Sequence, residues 1–559
     1  MRHLKNYIFA GLAAIMTTSC SDFLDTAPKD AITPATAWQT EKDAAKFLTG
    51  CYNNWQDNYD SGWGWDAFLL YWDGASDFGY AQYPWEGYTP IGNGQMTSTS
   101  GRDFYEFSKI RRCNELLNNI DKCKFEKDET KKDIKAQARW IRAYRYFLMN
   151  WNYGAVPIID NYDTAEAAMV EQKSEAEVRT FIENELDELV NDIKIAPSEA
   201  ERGRVAKGAA YALRMREALY NEQWEVAKDR AEKIIALKQY ELDQSYANLF
   251  TIAGQNSKEI ILAVQHIENT KTNNAIGRMY DNGDGGWSSA MPTWNLVDTY
   301  EMANGKTIDD PTSGYDPAHP FNNRDPRMAM TICYPGCDYI NGSGKNAIFN
   351  SLDAKVTGMG YKDDKNPNYK DGKNNNPPTG LIWGKYLAPQ NQYANIWNTA
   401  CSPIVFRYAE VLLTWCEAAN ELDFNANKVK IYEYLDKIRD RVGMPAVDQT
   451  KYNDQNSVRE LIRRERGVEF AGEGIRRDDI LRWKTADGKR VAEVVLNQVL
   501  KSREGTVNMD ANVAPGMRAT FNGKTTEIET RVFKSYNRYL PLPQGALNAN
   551  KKLKDEHYN

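Results

Sequence analysis

The chain reads as an all-α protein: a scaffold of helical pairs interrupted by one long irregular, loop-rich insertion that carries the ligand side. Three observations predict it. Apolar side chains recur at helical spacing in segments joined by short polar loops. One stretch, residues 267–398, is rich in Gly, Asn, Asp and Pro and has no sustained period. A length of 559 residues with 42% hydrophobic and 26% charged side chains permits a large core, and the apolar content excludes a disordered chain.

Taken in order, the segment Asp133 to Trp151 is the first strong helix. Trp140, Tyr144, Phe147 and Trp151 share a face with Ile141 and Leu148, and Gly154 and Pro157 stop it. A second helix runs from about Glu175 to Ile195. Ala206 to Tyr220 and Trp224 to Leu237, separated by Asn221-Glu222-Gln223, form a hairpin whose small residues Ala209, Ala210, Ala227 and Ala231 allow close approach. That alternation of Ala with large apolar residues resembles a tetratricopeptide repeat unit. Phe406 to Glu421 and Val429 to Val442 form a similar pair, with Ala409, Leu412, Leu413, Cys416 and Ala419 facing Ile431, Leu435 and Ile438. The units do not follow a strict period, so a repeat scaffold broken by insertions is expected.

The first residues are not fold. Arg2 and Lys5 precede an apolar run, Tyr7 to Met16, followed by Thr17-Thr18-Ser19 and Cys20. This order is that of a secretory signal, and the run is too short to span a bilayer. It resembles a bacterial lipoprotein signal, in which the cysteine becomes the lipidated first residue. Thr17 stands where such signals usually carry Leu. The acidic tract Ser21-Asp22-Phe23-Leu24-Asp25 resembles the tag that routes Bacteroidetes lipoproteins to the outer face of the outer membrane. The expected organisation is therefore a signal peptide over 1–19, a lipidated tether and first helix over 20–50, an N-terminal helical region over 51–266, the insertion over 267–400 and a C-terminal helical region over 401–559.

Cysteines number eight; with Cys20 acylated, seven remain, an odd number that excludes a complete disulfide framework. Cys333 and Cys337 flank a Tyr-Pro-Gly turn and are expected as a local disulfide or as two free thiols, a half metal site being disfavoured for want of a second Cys pair. Asp281 to Asp284 offers oxygen ligands to calcium, but the twelve-residue loop pattern is not met, so a turn is expected and no cofactor is implied.

Between Tyr52 and Tyr88, 37 residues include 13 aromatics, no Lys or Arg and six acids, Asp57, Asp60, Asp66, Asp73, Asp77 and Glu86. A phosphate backbone would be repelled here, and the formal net charge of −7 points away from nucleic acid. Sugar rings instead offer apolar faces that stack on flat side chains, and hydroxyls that bond to carboxylates and amides. Large aromatics are also common in cores. The density of rings without helical period, among Gly and Pro, favours exposure. Trp85, between Pro84 and Glu86, is the leading glycan-binding candidate, followed by Tyr83, Asp73 and Asp77, and by Trp287 and Trp294 in the insertion.

Residues 459–483 interleave seven Arg with six acids. Val458, Leu461, Ile462 and Glu465 share a face, so a salt-bridged structural helix is expected, knitted to its neighbours by bidentate pairs. The string RRERGVEFAGEGIRRDDILRW, with Arg463, Glu465, Arg466, Glu469, Glu473, Gly474, Arg476, Asp479 and Trp483, resembles the late motif of the SusD/RagB family of Bacteroidetes surface glycan-binding lipoproteins. ARWIRAYRYFLMNWNYGAVPII at 138–159, FRYAEVLLTWCEAANE at 406–421 and YLPLPQGALNAN at 539–550 are similar to three further family blocks. Gly472 departs from the pattern, where a bulky apolar residue is usual. The resemblance implies four tetratricopeptide-like helix pairs, an irregular ligand-binding half and docking onto a SusC-like TonB-dependent outer-membrane transporter. It carries over no ligand-contacting residue, because those positions vary most within the family.

The reading this supports is a surface lipoprotein that binds oligo- or polysaccharide and delivers it to a transporter, without catalysis. A secreted glycoside hydrolase would need two carboxylates at a defined separation, which 77 acids supply by chance. The chain has no G-x-S-x-G elbow, H-E-x-x-H or P-loop. A peptide-binding repeat scaffold has no need of dense rings without cations.

Overall fold

The computed structural model describes residues 37–55, 68–100, 104–160, 162, 164–198, 201–281, 283–352 and 377–558. The signal segment, Cys20, Asn282, the Asn374–Asn376 run, Asp57, Asp60, Asp66 and the rings of Tyr59, Trp63, Trp65 and Phe68 lie outside the described residues.

The architecture is mostly helical. The principal helices are α1 (Glu41–Tyr52), α2 (Ser108–Asn119), α3 (Asp128–Tyr153), α4 (Glu175–Leu189), α5 (Lys207–Tyr220), α6 (Trp224–Ala236), α7 (Tyr408–Asp440), α8 (Gln455–Glu469) and α9 (Arg476–Arg482). They pack as sequential pairs: α2 on α3, α3 on α4, α5 on α6 and α7 on α8, with α6 also against α7. The small residues expected at the α5–α6 contact, Ala209, Ala210, Ala227 and Ala231, are fully buried.

Helix α3 begins five residues earlier than the apolar stripe suggests, with Asp128 and Glu129 in its first turn, where carboxylates favour the positive end of the helix. It ends where Gly154 adopts φ +72°. Helix α4 opens on a capping box, Ser174 accepting from the Glu177 amide and Glu177 accepting from the Ser174 amide, and ends at Leu189 rather than near Ile195. Helix α7 joins the two expected segments across a break at Asp423 (φ −164°, ψ 97°), and its halves fold together with the Cys416 thiol 3.6 Å from the Ile431 carbonyl. The start of the first expected segment is instead strand: Phe406 lies in Ile404–Arg407, which pairs antiparallel with Ile260–Ala263.

Strands are short and paired in twos. The pair that matters for the site is β1 (Gly79–Ala81) with β2 (Ala290–Pro292), antiparallel, in register Tyr80 opposite Met291. The described part of the insertion folds into such pairs and short helices. One element was not expected from the sequence, a long antiparallel hairpin of β3 (Val499–Val507) and β4 (Ala519–Thr530). Most of its side chains are exposed on both faces, so the apolar alternation that betrays a half-buried strand is missing.

The Arg- and Glu-rich segment is a buried ion-pair lattice. Arg466 binds Asp479 through two bonds of 2.9 and 3.0 Å, Arg482 binds Glu417 at 2.6 and 2.7 Å, and Arg407 binds Glu473 at 2.7 and 2.8 Å. Glu469 gathers Arg407, Arg327 and Arg441. Burial alone would raise its pKa, but the three guanidiniums outweigh that and hold it well below the usual carboxylate range. Gly472 has φ +77°, and a Cβ there would meet the Trp383 ring at 3.2 Å, so glycine suits this backbone. The seven cysteines among the described residues are all buried free thiols, Cys333 and Cys337 included.

Candidate functional site

Most of the described rings of the aromatic window are core. Trp55, Tyr71, Trp72, Phe78 and Tyr88 are buried, and only Tyr52, Tyr80 and Tyr83 are half-buried. This corrects the expectation of broad exposure: the rings lack a helical period because they fill an irregular loop-built core. Three of the candidate site residues move with it. Asp73 is fully buried and accepts from the amides of Gly472 (2.7 Å) and Arg476 (3.2 Å). Burial pushes its carboxyl up to about 7. Asp77 is buried in a bidentate pair with Arg476 at 2.9 and 2.8 Å. Trp294, 5% exposed, packs between Phe321 and Phe521 and donates its indole N–H to the Thr379 carbonyl at 3.0 Å. All three hold the loops in place; none faces solvent to meet a ligand.

Trp85 is different. It is 75% exposed, far more than any other aromatic among the described residues. A short 3₁₀ turn, Pro84–Glu86, lifts it from the surface, with Pro84 fixing the first φ and Gly87 closing the turn at φ +84°. Glu86 anchors the turn from below through a buried ion pair with Arg278 at 3.2 Å. Tyr83 stacks against Trp85, ring centroids 4.4 Å apart and planes 22° from parallel. Its hydroxyl donates to the Trp287 carbonyl at 3.1 Å, which ties the turn to the insertion. Burial, with the nearby Glu86 charge, raises the Tyr83 phenol to about 12, so it remains a neutral donor. Gln82 completes the tie, its side-chain amide donating to the Trp287 and Ser288 carbonyls at 2.9 and 2.8 Å.

Trp287 is half-buried and packs against Trp397 at 4.9 Å with the planes tilted by 56°. Trp397, also half-buried, donates its indole N–H to the Gly285 carbonyl at 3.2 Å. A Cβ on Gly277 would come within 2.7 Å of the Trp397 ring, so a glycine is required beneath it. The structure thus gathers Tyr83, Trp85 and Trp287 on one face and adds Trp397 and Gln82. Trp397 stands alone among Asn and Ile in sequence; only its place in the insertion marked it. The polar groups on this face are amides, hydroxyls and indole N–H groups, suited to hydroxyl-bearing ligands with apolar faces.

The Asp281–Asp284 segment is a turn. Asp281 accepts from the Asp284 amide at 3.0 Å, and burial pushes its carboxyl up to about 7. Among the described residues no group of three His, Cys, Asp or Glu side chains is placed to hold a metal ion.

Fold and site together define a helical-repeat protein that presents an aromatic face on loops inserted into the scaffold. The chain belongs to the SusD family: the family model of that description matches residues 258–558, and one described as "Starch-binding associating with outer membrane" matches residues 22–219. A SusD-like protein of Formosa agariphila, P25, is 25% identical over 510 residues, which cover 86% of this chain and 90% of the relative. The crystal structure of a SusD-like carbohydrate binding protein from Bacteroides fragilis superposes with a TM-score of 0.77 at 26% identity, over 93% of this chain and all of the other. A structure described as a laminarin binding SusD-like protein has the same fold, with a TM-score of 0.64 at 18% identity, covering 92% and 98% of the two chains.

Proposed function

We propose that this protein binds oligo- or polysaccharide on the face built by Trp85, Tyr83, Trp287 and Trp397, as a non-catalytic capture protein for nutrient uptake. The observation that carries the reading is Trp85, an exposed indole braced from behind by a stacked tyrosine. A large apolar ring held rigid in water has no role in the core, and a flat sugar face covers it at little entropic cost. The family membership, and the Bacteroides fragilis relative described as carbohydrate-binding, support the same reading.

Cys20 is the attachment point in this reading. Its lipidation tethers the chain to the outer membrane facing outward, while no helix among the described residues is long and apolar enough to cross a membrane. A SusC-like TonB-dependent transporter receives the captured glycan. Of the acids in the aromatic window among the described residues, Asp73 and Asp77 are committed to Gly472, Arg476 and the loop core and are not offered to a glycosidic bond.

The test is a panel of plant, fungal, host and bacterial polysaccharides against the soluble form that starts after Cys20. Binding of at least one polysaccharide without new reducing ends is expected. Steady release of reducing ends would return the glycoside hydrolase reading, and silence across the panel would overturn glycan capture.

A further inference from the structure

One short helix underlies both ends of the aromatic face. Ala275–Met279 is buried along its whole length, and its surroundings lead to three of the rings. Its start is fastened to the segment that follows Trp397. The Asn273 amide donates to the Thr399 carbonyl at 2.9 Å, the Thr399 hydroxyl donates to the Asn273 carbonyl at 2.7 Å, and the Asn273 side chain donates to the Cys401 carbonyl at 3.0 Å. Its middle lies directly against Trp397 and the residue before it, since a Cβ on Gly277 would also meet the Ile396 carbonyl at 2.9 Å. Its end receives the segment that follows Trp287: the Ser289 amide donates to the Arg278 carbonyl at 2.9 Å, and the Ser288 amide to the Tyr280 carbonyl at 2.7 Å. The Arg278 side chain, itself buried, reaches toward Trp85. It pairs with Glu86, the residue after Trp85, at 3.2 Å and lies over the Tyr71 ring at 5.2 Å.

The rings therefore form two platforms on one base, Trp85 with Tyr83 and Trp287 with Trp397. The β1–β2 ladder ends at Ala81 opposite Ala290, and both ring-bearing loops lie past that end. One further backbone bond, from the Gln82 amide to the Ser289 carbonyl at 3.0 Å, continues the pairing. Beyond it the platforms are joined through side chains, by Gln82 and the Tyr83 hydroxyl on the Trp287 loop and by the Glu86–Arg278 pair. The ties made by Gln82 and Tyr83 are bonds between neutral groups. The Glu86–Arg278 bond is charge-assisted and buried at both ends, which makes it the stiffer tie.

We propose that Arg278 is a positioning residue that fixes the spacing of the two platforms, so that a glycan long enough to touch both binds as one bivalent ligand. When two contacts sit on a rigid base, the first raises the effective concentration for the second, and a loosened spacing lowers it while leaving each contact as it was. The ligand class this favours is an oligosaccharide of several units over a mono- or disaccharide. The inference rests on the glycan-binding reading and deepens it.

The probes are size-graded oligomers, disaccharide to octasaccharide, of a β-glucan, an α-glucan, a mannan and a galactan. Each is titrated by calorimetry into wild type, Trp85→Ala, Arg278→Lys and the E86Q/R278M double variant. The double variant removes both charges together, so neither is left buried and unpaired, and methionine keeps an apolar stem over Tyr71. In wild type the affinity for at least one series should climb with chain length, and in Trp85→Ala the climb should flatten. In E86Q/R278M the shortest oligomer that binds should keep its Kd within about twofold, while the octasaccharide should lose about tenfold. Arg278→Lys, which keeps the charge but not the reach, should lose an intermediate amount, and it carries the test if the double variant does not fold. A wild-type affinity that does not change with length, an octasaccharide affinity untouched in the variants, or a loss equal at every length, which a merely structural role would give, overturns the proposal and leaves glycan capture standing. No binding of any oligomer to wild type also overturns it, and the polysaccharide panel then decides glycan capture by itself.

Discussion

Trp85→Ala separates a binding ring from a structural one. The indole buries only about a quarter of itself, roughly 50–60 Å² of a ring of some 200–250 Å², worth about 1.5 kcal/mol at 25 cal/mol per Å². Loss of the Tyr83 stack adds about 0.5–1.5 kcal/mol. Spread over a chain this long, the thermal midpoint should fall by no more than about 3 °C. For the ligand the proportions invert. A sugar covering much of the exposed ring would bury on the order of 100 Å² of indole, so truncation should cost about 2–3 kcal/mol, roughly 30- to 150-fold in Kd. The assay is calorimetry with the best polysaccharide of the panel, paired with a melt of each protein. Binding within a factor of about two of wild type, or a fall in midpoint beyond about 10 °C, would refute the placement of the site.

Glu469→Gln leaves Arg327, Arg407 and Arg441 around a neutral amide and should destabilise by about 3–5 kcal/mol, read as a lower denaturant midpoint; a neutral effect would show the lattice relaxes freely. Asp73, Asp281 and Glu217 are each raised to about 7 by burial, above the ordinary range of an unfolded carboxyl near 4, so the folded state binds the extra protons between those values. Their contribution is therefore lost as pH rises, and the thermal midpoint should be higher near about pH 6 than near about pH 8, although His266, lowered to about 4, opposes part of the gain. Glu469 acts in the other direction: its contribution is present above about pH 4.5 and lost as the medium acidifies toward its depressed pKa, so the melt should collapse on strong acidification. A midpoint rising steadily from about pH 6 to about pH 8 would contradict these assignments. Cys20→Ala should move the protein from the membrane fraction to the soluble fraction on cell fractionation, and retention in the membrane would exclude the lipid anchor.

What was legible in the sequence depended on whether the signal was local. Helix pairs were, because a 3.6-residue stripe and an Ala contact are written within some twenty positions. Trp85 stood out as well, between Pro84 and Glu86 in a cation-free stretch, although the same stretch also holds rings that are core. Asp73 and Asp77 read as binding groups because the residues that bury them are 399 positions away, at Gly472 and Arg476. Nothing near either aspartate announces a partner at that distance. Trp294 failed for a similar reason, since its neighbours Phe321 and Phe521 come from different elements. Trp397 was overlooked because its value lies in a tertiary contact with Trp287, and the β3–β4 hairpin because strands exposed on both faces carry no apolar alternation.

Those long-range contacts explain how a loop can present a ring rigidly. The segment before Trp85 is fastened by the same region that forms the ion-pair lattice. The Gly472 amide donates to Asp73, Arg476 grips Asp77, Arg477 donates to the Ala75 carbonyl at 2.7 Å, and the Trp72 indole donates to Asp478 at 3.2 Å. Arg531, from just beyond β4, adds bonds to the Ser76 and Gly79 carbonyls. An unbraced loop would have to be ordered on binding, at about 1–2 kcal/mol for each residue fixed. Here that ordering is already made in folding, by charges buried in the scaffold, so little of the stacking energy at Trp85 need be spent on the loop beneath it. The motif shared with the family and the exposed ring are thus parts of one device: the lattice fixes the loop, and the loop leaves the ring free to bind.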